Sequence, residues 1–284
     1  MADAALKQAI IEGEMVVAPG VYDLISALIA DRMGFRALYI TGYGAVASHL
    51  GLPDAGIATM TEMLGRVGQI AKMTETPIIA DADTGYGGLL NVHHTVRAYE
   101  AAGVSAIQLE DQEFPKKCGH TPGRTVVPAE DMAKKIRVAV DSRENDDFLI
   151  VARTDSRTSL GLDEAIRRGR AYAEAGADIV FVEAPESETE LAEIAESIDA
   201  PVLANMVNGG STPVLRADRL HELGFALAIF PGAGFLAAGA ALETVYDDIK
   251  VNGTTTERSK LYDFGAFNRL VGFEEVWAFD KRYA

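Results

Sequence analysis

The chain has 284 residues, of which 48% are hydrophobic and 24% are charged, and it contains a single cysteine. This balance is typical of a globular protein with a large core and excludes disordered and fibrous classes. The formal net charge of −16 disfavours a nucleic-acid partner, because phosphate binding depends on Lys and Arg. The lone Cys118 excludes an intrachain disulfide and a thiolate metal cluster, and it favours a cytoplasmic location.

Neither the start of the sequence nor its longest uncharged stretch predicts a targeting or membrane segment. Residues 1–11 mix Asp3 and Lys7 with alanines and show no export signal. The uncharged stretch from Phe225 to Leu242 is interrupted by Pro231 and two glycines. We therefore predict a buried strand, a turn and a buried helix there, and no membrane partner.

Eight short runs rich in Val and Ile recur along the chain without polar alternation. This pattern is expected of parallel strands that are buried on both faces. The predicted strands are Val16–Val21, Ala37–Thr41, Pro77–Ala80, Ala106–Leu109, Phe148–Ala152, Ile179–Val182, Pro201–Ala204 and Phe225–Phe230.

Segments with helical spacing separate these strands, as in Asp163–Ala175, and glycines follow several of them. Repeated strand–helix units without a long linker favour a closed (β/α)₈ TIM barrel over a doubly wound open sheet, which remains the alternative. Residues 1–284 are predicted to form one domain. It includes a helix over Ala237–Ile249 and a helical tail from about residue 250, whose aromatic residues would pack on a neighbouring subunit.

Polar residues follow the predicted strands, at the barrel end where active sites of this fold lie. Asp81 and Asp83 follow the third strand, and alternation along a strand would turn both carboxylates to one side. With Glu110 or Asp111 from the next strand, they form an all-oxygen set suited to Mg²⁺, with Mn²⁺ as a substitute. In isolation such an Asp-x-Asp pair would be read as a loop start and helix cap.

Other strand ends carry candidate ligand groups. Arg153 follows the fifth strand and either pairs with Glu110 or Glu183, or binds a substrate carboxylate as a fork. The turn Thr41–Gly44 is predicted to bring backbone N–H groups close to an anion, although it lacks the spacing of a phosphate loop. His93 and His94 lie on a helix-like stretch with no metal-ligand geometry.

The most specific motif is Phe114–His120, in which the only cysteine lies beside Lys116, Lys117 and His120 on a glycine-containing loop. A lone cysteine is more often inert packing. Neighbouring cations, however, are expected to lower the pKa of the thiol and to suit a mobile acid or base that closes over a substrate. Cys118 is therefore the candidate catalytic group.

Together these motifs resemble the isocitrate lyase and phosphoenolpyruvate mutase superfamily, in particular its methylisocitrate lyase and 2,3-dimethylmalate lyase branch. The resemblance spans nearly the whole chain. The segments that carry it are Gly51–Asp54, Asp81–Gly87, Glu110–Gln112, Lys116–His120, Ala152–Asp155 and Ala204–Met206 followed by Gly209–Gly210.

The resemblance implies a barrel whose last helix is exchanged between subunits of a homotetramer, a dimer of dimers. It implies a Mg²⁺ site at Asp81, Asp83 and Glu110. It implies a gating loop that contributes the proton donor Cys118 with Lys116 and His120, and Tyr39 is the candidate base. The implied substrate-binding residues are Thr41, Gly42, Tyr43, Asp54, Gly119, Arg153, Glu183, Asn205 and Asn208.

The implied activity is cleavage of a small 2-hydroxy dicarboxylate or tricarboxylate into an α-keto acid such as pyruvate and a second carboxylate. Methylisocitrate lyases of the family carry a glutamate where this chain has Asn208 and an arginine where it has Leu236. Loss of that arginine removes a partner for a third carboxylate and favours an alkyl-substituted malate.

Several other functions fit the same scaffold. Oxaloacetate hydrolases or decarboxylases share the cysteine loop, whereas phosphonate mutases lack the cysteine and phosphonopyruvate hydrolases act on another substrate class. A catalytically silent binding protein is the alternative from a different class. The joint presence of Cys118, the acidic strand ends and Arg153 argues against it.

Overall fold

The computed structural model describes residues 4–284 and contains eight strands that close into a barrel in chain order. Every neighbouring pair is parallel, and the barrel closes where Val16 of the first strand pairs with Leu227 of the last. The predicted (β/α)₈ barrel is confirmed, and the open sheet is excluded. The strands are β1 Val16–Val21, β2 Leu38–Ile40, β3 Ile78–Asp81, β4 Ala106–Glu110, β5 Leu149–Thr154, β6 Ile179–Val182, β7 Val202–Asn205 and β8 Leu227–Phe230.

The strand bounds agree with the predicted runs to within two residues, and the differences lie at both ends of the strands. β4, β5 and β7 continue to Glu110, Thr154 and Asn205, which are polar. These residues extend the ladder, as Glu110 does opposite Arg153. In these strands the apolar run of the sequence ends before the strand itself ends. The last strand residues are polar because the carboxyl end of the barrel buries polar side chains as well as apolar ones.

Helices fill the intervals between the strands. The glycines that follow α2, α5, α8 and α10 have left-handed backbone angles, with φ between 76° at Gly34 and 102° at Gly176. This conformation ends a helix at low steric cost only for glycine, as the sequence predicted. The helices are α1 Ala4–Ile11, α2 Leu24–Asp31, α3 Gly42–Leu50, α4 Met60–Met73, α5 Leu89–Ala101, α6 Ala129–Ser142, α7 Arg157–Leu160, α8 Leu162–Glu174, α9 Glu188–Ser197, α10 Ala217–Glu222, α11 Ala233–Asn252, α12 Phe264–Leu270 and α13 Phe273–Tyr283.

The barrel interior is a dry core built from alternate residues of the strands. Phe181 and Ile79 pack inside it, and Leu6 of α1 packs in the same cluster with residues at the strand starts such as Ala37 and Leu149. α1 therefore closes the amino-terminal end of the barrel. The opposite end carries the polar side chains, which leaves the carboxyl ends of the strands as the place for a site.

The chain divides into two compact units, one that runs through Ala233 and one that covers Gly234–Ala284. The second unit contains α11 to α13, and the predicted single domain with a tail from about residue 250 stays a prediction. No helix among residues 4–284 is both long and apolar enough to cross a membrane.

A buried carboxylate organises the second unit. Asp248 of α11 accepts hydrogen bonds from Ser259 Oγ at 2.8 Å, from Thr256 N at 2.5 Å and from Asn252 Nδ2 at 2.8 Å. Burial raises the pKa of Asp248, but these hydrogen-bond donors outweigh burial and lower the pKa to about 2. The charged carboxylate thus ties the segment after α11 back onto the helix.

Asp248→Asn is expected to release this segment, because an amide presents N–H groups to donors that need an acceptor. Hydrogen exchange of residues 253–263 should quicken by about tenfold at neutral pH. In the wild type the same protection should be present above the ordinary aspartate pKa of about 4 and be lost as the pH falls toward about 2. Unchanged exchange in the variant would contradict this role.

Candidate active site

Six charged or polar side chains from five strands converge at the carboxyl end of the barrel, and all are at least nine-tenths buried. They come from the ends of β3, β4, β5, β6 and β7, because parallel strands all finish at this face. The sequence predicted all of them, and the structure brings them together. They are Asp81, Asp83, Glu110, Arg153, Glu183 and Asn205.

The two aspartates that follow β3 reach the site by a backbone turn. β3 ends at Asp81, and Asp83 has a left-handed φ of 50°, so strand alternation was the wrong reason for placing both carboxylates together. Asp83 N–H donates to Asp81 Oδ1 at 3.1 Å, and Asp83 O accepts from Glu110 N–H at 2.9 Å. A non-glycine residue held at positive φ is a strained conformation typical of functional sites.

Gln108 is a site residue that the sequence analysis missed. Its Nε2 lies 3.4 Å from Asp81 Oδ1, and its Oε1 accepts from the Tyr39 hydroxyl at 3.1 Å. The sequence signal that could have identified it is its position as the one polar residue in the predicted apolar run Ala106–Leu109. Burial first, and then Asp81, raise the pKa of Tyr39 well above its ordinary value. In this contact the phenol donates to Gln108, and the base role predicted for Tyr39 stays a prediction.

Lys116 lies between two of the carboxylates. Its Nζ is 2.5 Å from Asp54 Oδ1 and 2.6 Å from Asp83 Oδ1, and the residue is 2% exposed. Burial lowers the pKa of Lys116, but the surrounding carboxylates, Asp83 first, raise it well above its ordinary value. Burial raises the pKa of Asp83 to about 6 despite the ammonium. The site therefore holds more negative charge than Lys116 neutralises.

The segment between Gln112 and Val126, which we call the mouth loop, lies closed over the barrel. An antiparallel bridge between these two residues joins its ends. Cys118 N–H donates to Asp54 O at 3.1 Å. A Cβ on Gly119 would overlap both Arg153 Nη2 and Glu183 Oε2, so only glycine permits this close approach. The mouth loop is thus in contact with the residues at the strand ends.

The mouth loop does not activate its thiol as the sequence suggested. Burial raises the pKa of Cys118, and a hydrogen bond from the His120 backbone opposes that only in part. The predicted lowering was wrong because Lys116 faces carboxylates, while Lys117 Nζ donates to Gly123 O at 2.8 Å. A thiol held protonated is suited to donate a proton rather than to attack as a nucleophile.

Arg153 is engaged with carboxylates on three sides. It makes a two-bonded pair with Asp155, at 2.8 Å for both Nε and Nη2, and lies 3.1 Å from Glu183 Oε2 and 3.5 Å from Glu110 Oε2. Glu110 and Glu183, the two structural partners predicted for Arg153, are both neighbours, and Asp155 is an additional one. The alternative, that Arg153 binds a substrate carboxylate, stays a prediction. Asn205 Nδ2 donates to Glu183 at 3.1 Å.

Two buried polar atoms near Glu183 have no hydrogen-bond partner within residues 4–284, namely His120 Nδ1 and Asn205 Oδ1. The opposite ring nitrogen of His120 lies 3.5 Å from Glu183 Oε1 and 3.3 Å from Asn205 Nδ2. Buried polar atoms left unpaired are costly unless a ligand or water meets them. This corner of the mouth is therefore the best-placed position for substrate oxygens.

Other predicted residues lie elsewhere than expected. The Thr41–Gly44 segment is not a free turn, because α3 begins at Gly42 with Thr41 as its cap, and Tyr43 is 39% exposed. Asn208 is exposed. Asp111 accepts from Thr154, Asp155, Arg168 and Tyr172, so it belongs to a buried structural network, and Glu110 is the acidic residue that faces the site.

The mouth has the chemistry of a divalent cation site. Six carboxylates face three Lys or Arg side chains, and Glu110 Oε1 is buried without a hydrogen-bond partner in the described chain. Among residues 4–284, no three His, Cys, Asp or Glu side chains form a ready-made ligand group. Mg²⁺ suits such a site, because it takes one or two carboxylates and fills its shell with water and substrate oxygens. The carboxylates are Asp54, Asp81, Asp83, Glu110, Asp155 and Glu183, and the cations are Lys116, Arg124 and Arg153.

Gly42 supports the same assignment by leaving room beside Asp81. A Cβ there would lie 2.6 Å from Asp81 Oδ2. Gly42→Ala is therefore expected to turn Asp81 away and to weaken Mg²⁺ binding by about tenfold or more, measured by calorimetry. Gly65→Ala in α4 is the matched control, because its Cβ would meet nothing within 4 Å. Equal Mg²⁺ affinity in both variants would remove Asp81 from the metal site.

Comparison with known proteins agrees with the fold. Residues 6–250 match the family described as phosphoenolpyruvate phosphomutase. The chain is 49% identical to 2,3-dimethylmalate lyase of Eubacterium barkeri, covering 99% of this chain and 98% of the relative. It is 45% identical to 2-methylisocitrate lyase of Aeropyrum pernix, covering 98% and 89%.

Solved structures superpose over almost the whole length. Oxaloacetate acetylhydrolase in complex with 3,3-difluorooxalacetate has a TM-score of 0.92 and 35% identity, covering 99% of this chain and 97% of that one. Phosphonopyruvate hydrolase in complex with oxalate and Mg²⁺ has a TM-score of 0.89 and 31% identity, covering 100% and 99%. The chain therefore belongs to the phosphoenolpyruvate phosphomutase family, within the phosphoenolpyruvate mutase/isocitrate lyase superfamily.

Proposed function

We propose that this chain is a Mg²⁺-dependent carbon–carbon lyase that cleaves a small 2-hydroxy dicarboxylate or tricarboxylate into an α-keto acid and a second carboxylate. The observation that carries the proposal is the docking of the Cys118 loop at the barrel mouth, where Cys118 N–H donates to Asp54 O and Gly119 packs against Arg153 and Glu183. The 49% identity to a dimethylmalate lyase over 99% of the chain supports it.

The metal would be held by Asp81, Asp83 and Glu110, directly or through water, and Mn²⁺ is a possible substitute. Bound metal would supply Lewis-acid stabilisation of the negative charge on the 2-oxygen of the substrate. Lys116 would neutralise Asp54 and part of Asp83, and so adjust the charge that the metal site presents.

Cys118 would act as the acid. The 2-hydroxyl would give its proton to a base, the role predicted for Tyr39. The electron pair of the O–H bond would form the C2=O bond of the keto acid, while the C2–C3 bond breaks and leaves its electron pair on C3. The Cys118 Sγ–H then gives C3 a proton, which completes the second carboxylate product. The closed mouth loop keeps water from competing for that carbon, with Gly119 packed against Arg153 and Glu183.

Substrate carboxylates would be bound on two sides of the mouth. Arg153 supplies positive charge and His120 Nδ1 could donate to a carboxylate oxygen, while the unpaired Asn205 Oδ1 could accept from a substrate hydroxyl. On the β2 side, the α-keto-acid portion would bind at Thr41, Gly42 and Tyr43, where the family resemblance places it and where α3 begins.

Sequence differences favour an alkyl-substituted malate as the substrate. Asn208 and Leu236 stand where methylisocitrate lyases of the family carry a glutamate and an arginine. A third substrate carboxylate would then lack a cationic partner, and burying it unpaired is costly. We expect kcat/KM for 2,3-dimethylmalate to exceed that for 2-methylisocitrate by about tenfold or more.

Oxaloacetate hydrolysis is the second candidate, because oxaloacetate acetylhydrolase superposes on this chain with a TM-score of 0.92. That reaction adds water and yields oxalate and acetate. The lyase reaction on dimethylmalate adds no water and yields pyruvate and propionate. The products therefore separate the two candidates.

A substrate panel with Mg²⁺ tests the proposal. Dimethylmalate, methylisocitrate and oxaloacetate are each incubated with the enzyme, and pyruvate release is followed with lactate dehydrogenase while oxalate and acetate are followed chromatographically. Pyruvate from dimethylmalate that disappears with EDTA supports the lyase. Oxalate and acetate as the main products would replace it with the hydrolase.

The proposed assembly is a homotetramer in which the carboxyl-terminal helices are exchanged between subunits. The second unit supports it with exposed aromatic side chains, among them Phe264, Trp277, Phe279 and Tyr283, each more than half exposed. Such an apolar surface is typical of a subunit interface. Sedimentation analysis should give four times the chain mass of 30.3 kDa, and a monomer would contradict the proposal.

A further inference from the structure

Arg124 joins the mouth loop to the barrel on the side of β5. Its side chain is 5% exposed. Its Nη1 donates to the carbonyl oxygen of Gly119 and, at 3.0 Å, to Asp155 Oδ1, while its Nη2 donates to Thr158 Oγ1 at 2.7 Å. One guanidinium thus links the loop residue next to Cys118 with the end of β5 and the first turn of α7.

Asp155 is the shared partner of two guanidinium groups. Arg153 binds it from the barrel and Arg124 binds it from the mouth loop. Burial raises the pKa of Asp155, but Arg153 first and then Arg124 hold it below its ordinary value. The carboxylate is therefore charged at neutral pH, and charge-assisted hydrogen bonds of this kind are stronger than neutral ones.

The mouth loop is attached on two opposite sides. On the β3 side, Lys116 pairs with Asp54 and Asp83, which are groups already placed in the proposed site. On the β5 side, Arg124 uses Thr158 and Asp155, and Asp155 also holds Arg153. Thr158 is exposed, so water can replace that hydrogen bond when the loop opens.

We propose that Arg124 is a positioning residue that fastens the mouth loop shut and thereby holds Cys118 and Gly119 against Arg153 and Glu183. Because the Gly119 carbonyl is one residue from the thiol, releasing Arg124 frees the part of the loop that carries the acid. The effect on turnover rests on the proposed lyase function, whereas the effect on loop closure does not.

Alkylation of the sole cysteine by iodoacetamide measures loop opening directly. In the full-length protein with Mg²⁺, Arg124→Ala should raise the alkylation rate by about tenfold or more, the scale expected when charge-assisted hydrogen bonds are lost. Arg124→Lys keeps the positive charge but loses the forked guanidinium, so its alkylation rate should lie between those of the wild type and Arg124→Ala. With substrate present, kcat should fall in the same order.

The matched control is Arg36→Ala, which removes an exposed arginine paired with Glu14 before β2, at the opposite end of the barrel. Its alkylation rate and its melting temperature should both equal those of the wild type. Added methylguanidine should slow alkylation of Arg124→Ala, a rescue that a loss of folding would not show.

Two results would overturn the proposal. One is an alkylation rate in Arg124→Ala equal to that of the wild type. If Arg124→Ala fails to fold, Arg124→Lys and Thr158→Val decide instead, and wild-type rates in both would overturn it. A wild type that cleaves no substrate of the panel would remove the lyase function, while the alkylation rates would still decide the role of Arg124.

Discussion

Cys118→Ser is expected to lower turnover by about 10²- to 10⁴-fold, the usual contribution of a general acid. A serine hydroxyl is a far weaker acid than a thiol, whereas the mouth loop docks through the backbone, with Cys118 N–H bound to Asp54 O at 3.1 Å. Binding of Mg²⁺ and pyruvate should therefore persist. Steady-state pyruvate release and calorimetry measure the two effects separately.

The pH profile gives an independent check on the same residue. Because burial raises the pKa of Cys118, the acid stays protonated to a higher pH than an ordinary thiol. The alkaline limb of kcat in the wild type should lie above the usual thiol pKa of about 8.5 and be missing in the residual activity of Cys118→Ser.

Thr121→Val is the control for damage to the mouth loop. It removes the hydrogen bond from Thr121 Oγ1 to Cys118 O at 2.8 Å but leaves the thiol, so most of the activity should remain. If Cys118→Ser turns over as fast as this control, Cys118 has no part in the reaction.

Glu110→Gln is expected to weaken Mg²⁺ binding by about 10- to 100-fold, as loss of a metal-site carboxylate or its supporting group commonly does. Glu110 Oε1 is buried and has no hydrogen-bond partner within the described residues, so it is the oxygen most in need of a cation. Burial raises the pKa of Glu110 well above its ordinary value, and a glutamine oxygen can still face Arg153, so unfolding without metal should not become easier. Calorimetric titration and thermal unfolding are the measurements.

Asp111→Asn is the matched variant one residue away and should behave in the opposite way. Its carboxylate accepts from Arg168 at 3.0 Å and from Tyr172 at 2.7 Å. An amide nitrogen facing these donors should cost about 1–3 kcal/mol of unfolding free energy while Mg²⁺ affinity is kept. Equal losses of Mg²⁺ affinity in both variants would contradict the assignment of Glu110 to the site and Asp111 to the structural network.

The sequence could predict the barrel because buried parallel strands and helix-ending glycines are local signals. Each apolar run of Val and Ile carries its own evidence, and a glycine such as Gly176 reports its backbone conformation without any partner. The strand-end positions of Asp81, Glu110 and Arg153 follow from the same local reading, since parallel strands all finish at one face.

The direction of the pKa shift of Cys118 was predicted wrongly for a physical reason. The lysines adjacent to Cys118 in the sequence suggested a lowered pKa for its thiol. In the folded loop, however, neighbouring side chains point in different directions. Lys116 pairs with Asp83 and Lys117 donates to Gly123 O, so neither ammonium is directed at the thiol. Burial is then the largest influence on the pKa of Cys118, and it raises that pKa. The pKa of a buried group depends on its folded surroundings, which sequence neighbours do not specify.

What the sequence by itself determined is the closed eight-stranded barrel and the set of acidic and basic residues at its mouth, because both arise from short-range patterns. Only the tertiary structure decided which of Glu110 and Asp111 faces the site, that Gln108 joins Tyr39 to Asp81, and that Arg124 reaches Asp155. The contacts of Gln108 and Arg124 join residues that lie 27 to 69 positions apart in the sequence. The choice between Glu110 and Asp111 depends on the direction in which each side chain points at the end of β4. Such directions are fixed when the barrel closes and forces each buried charge to find a partner.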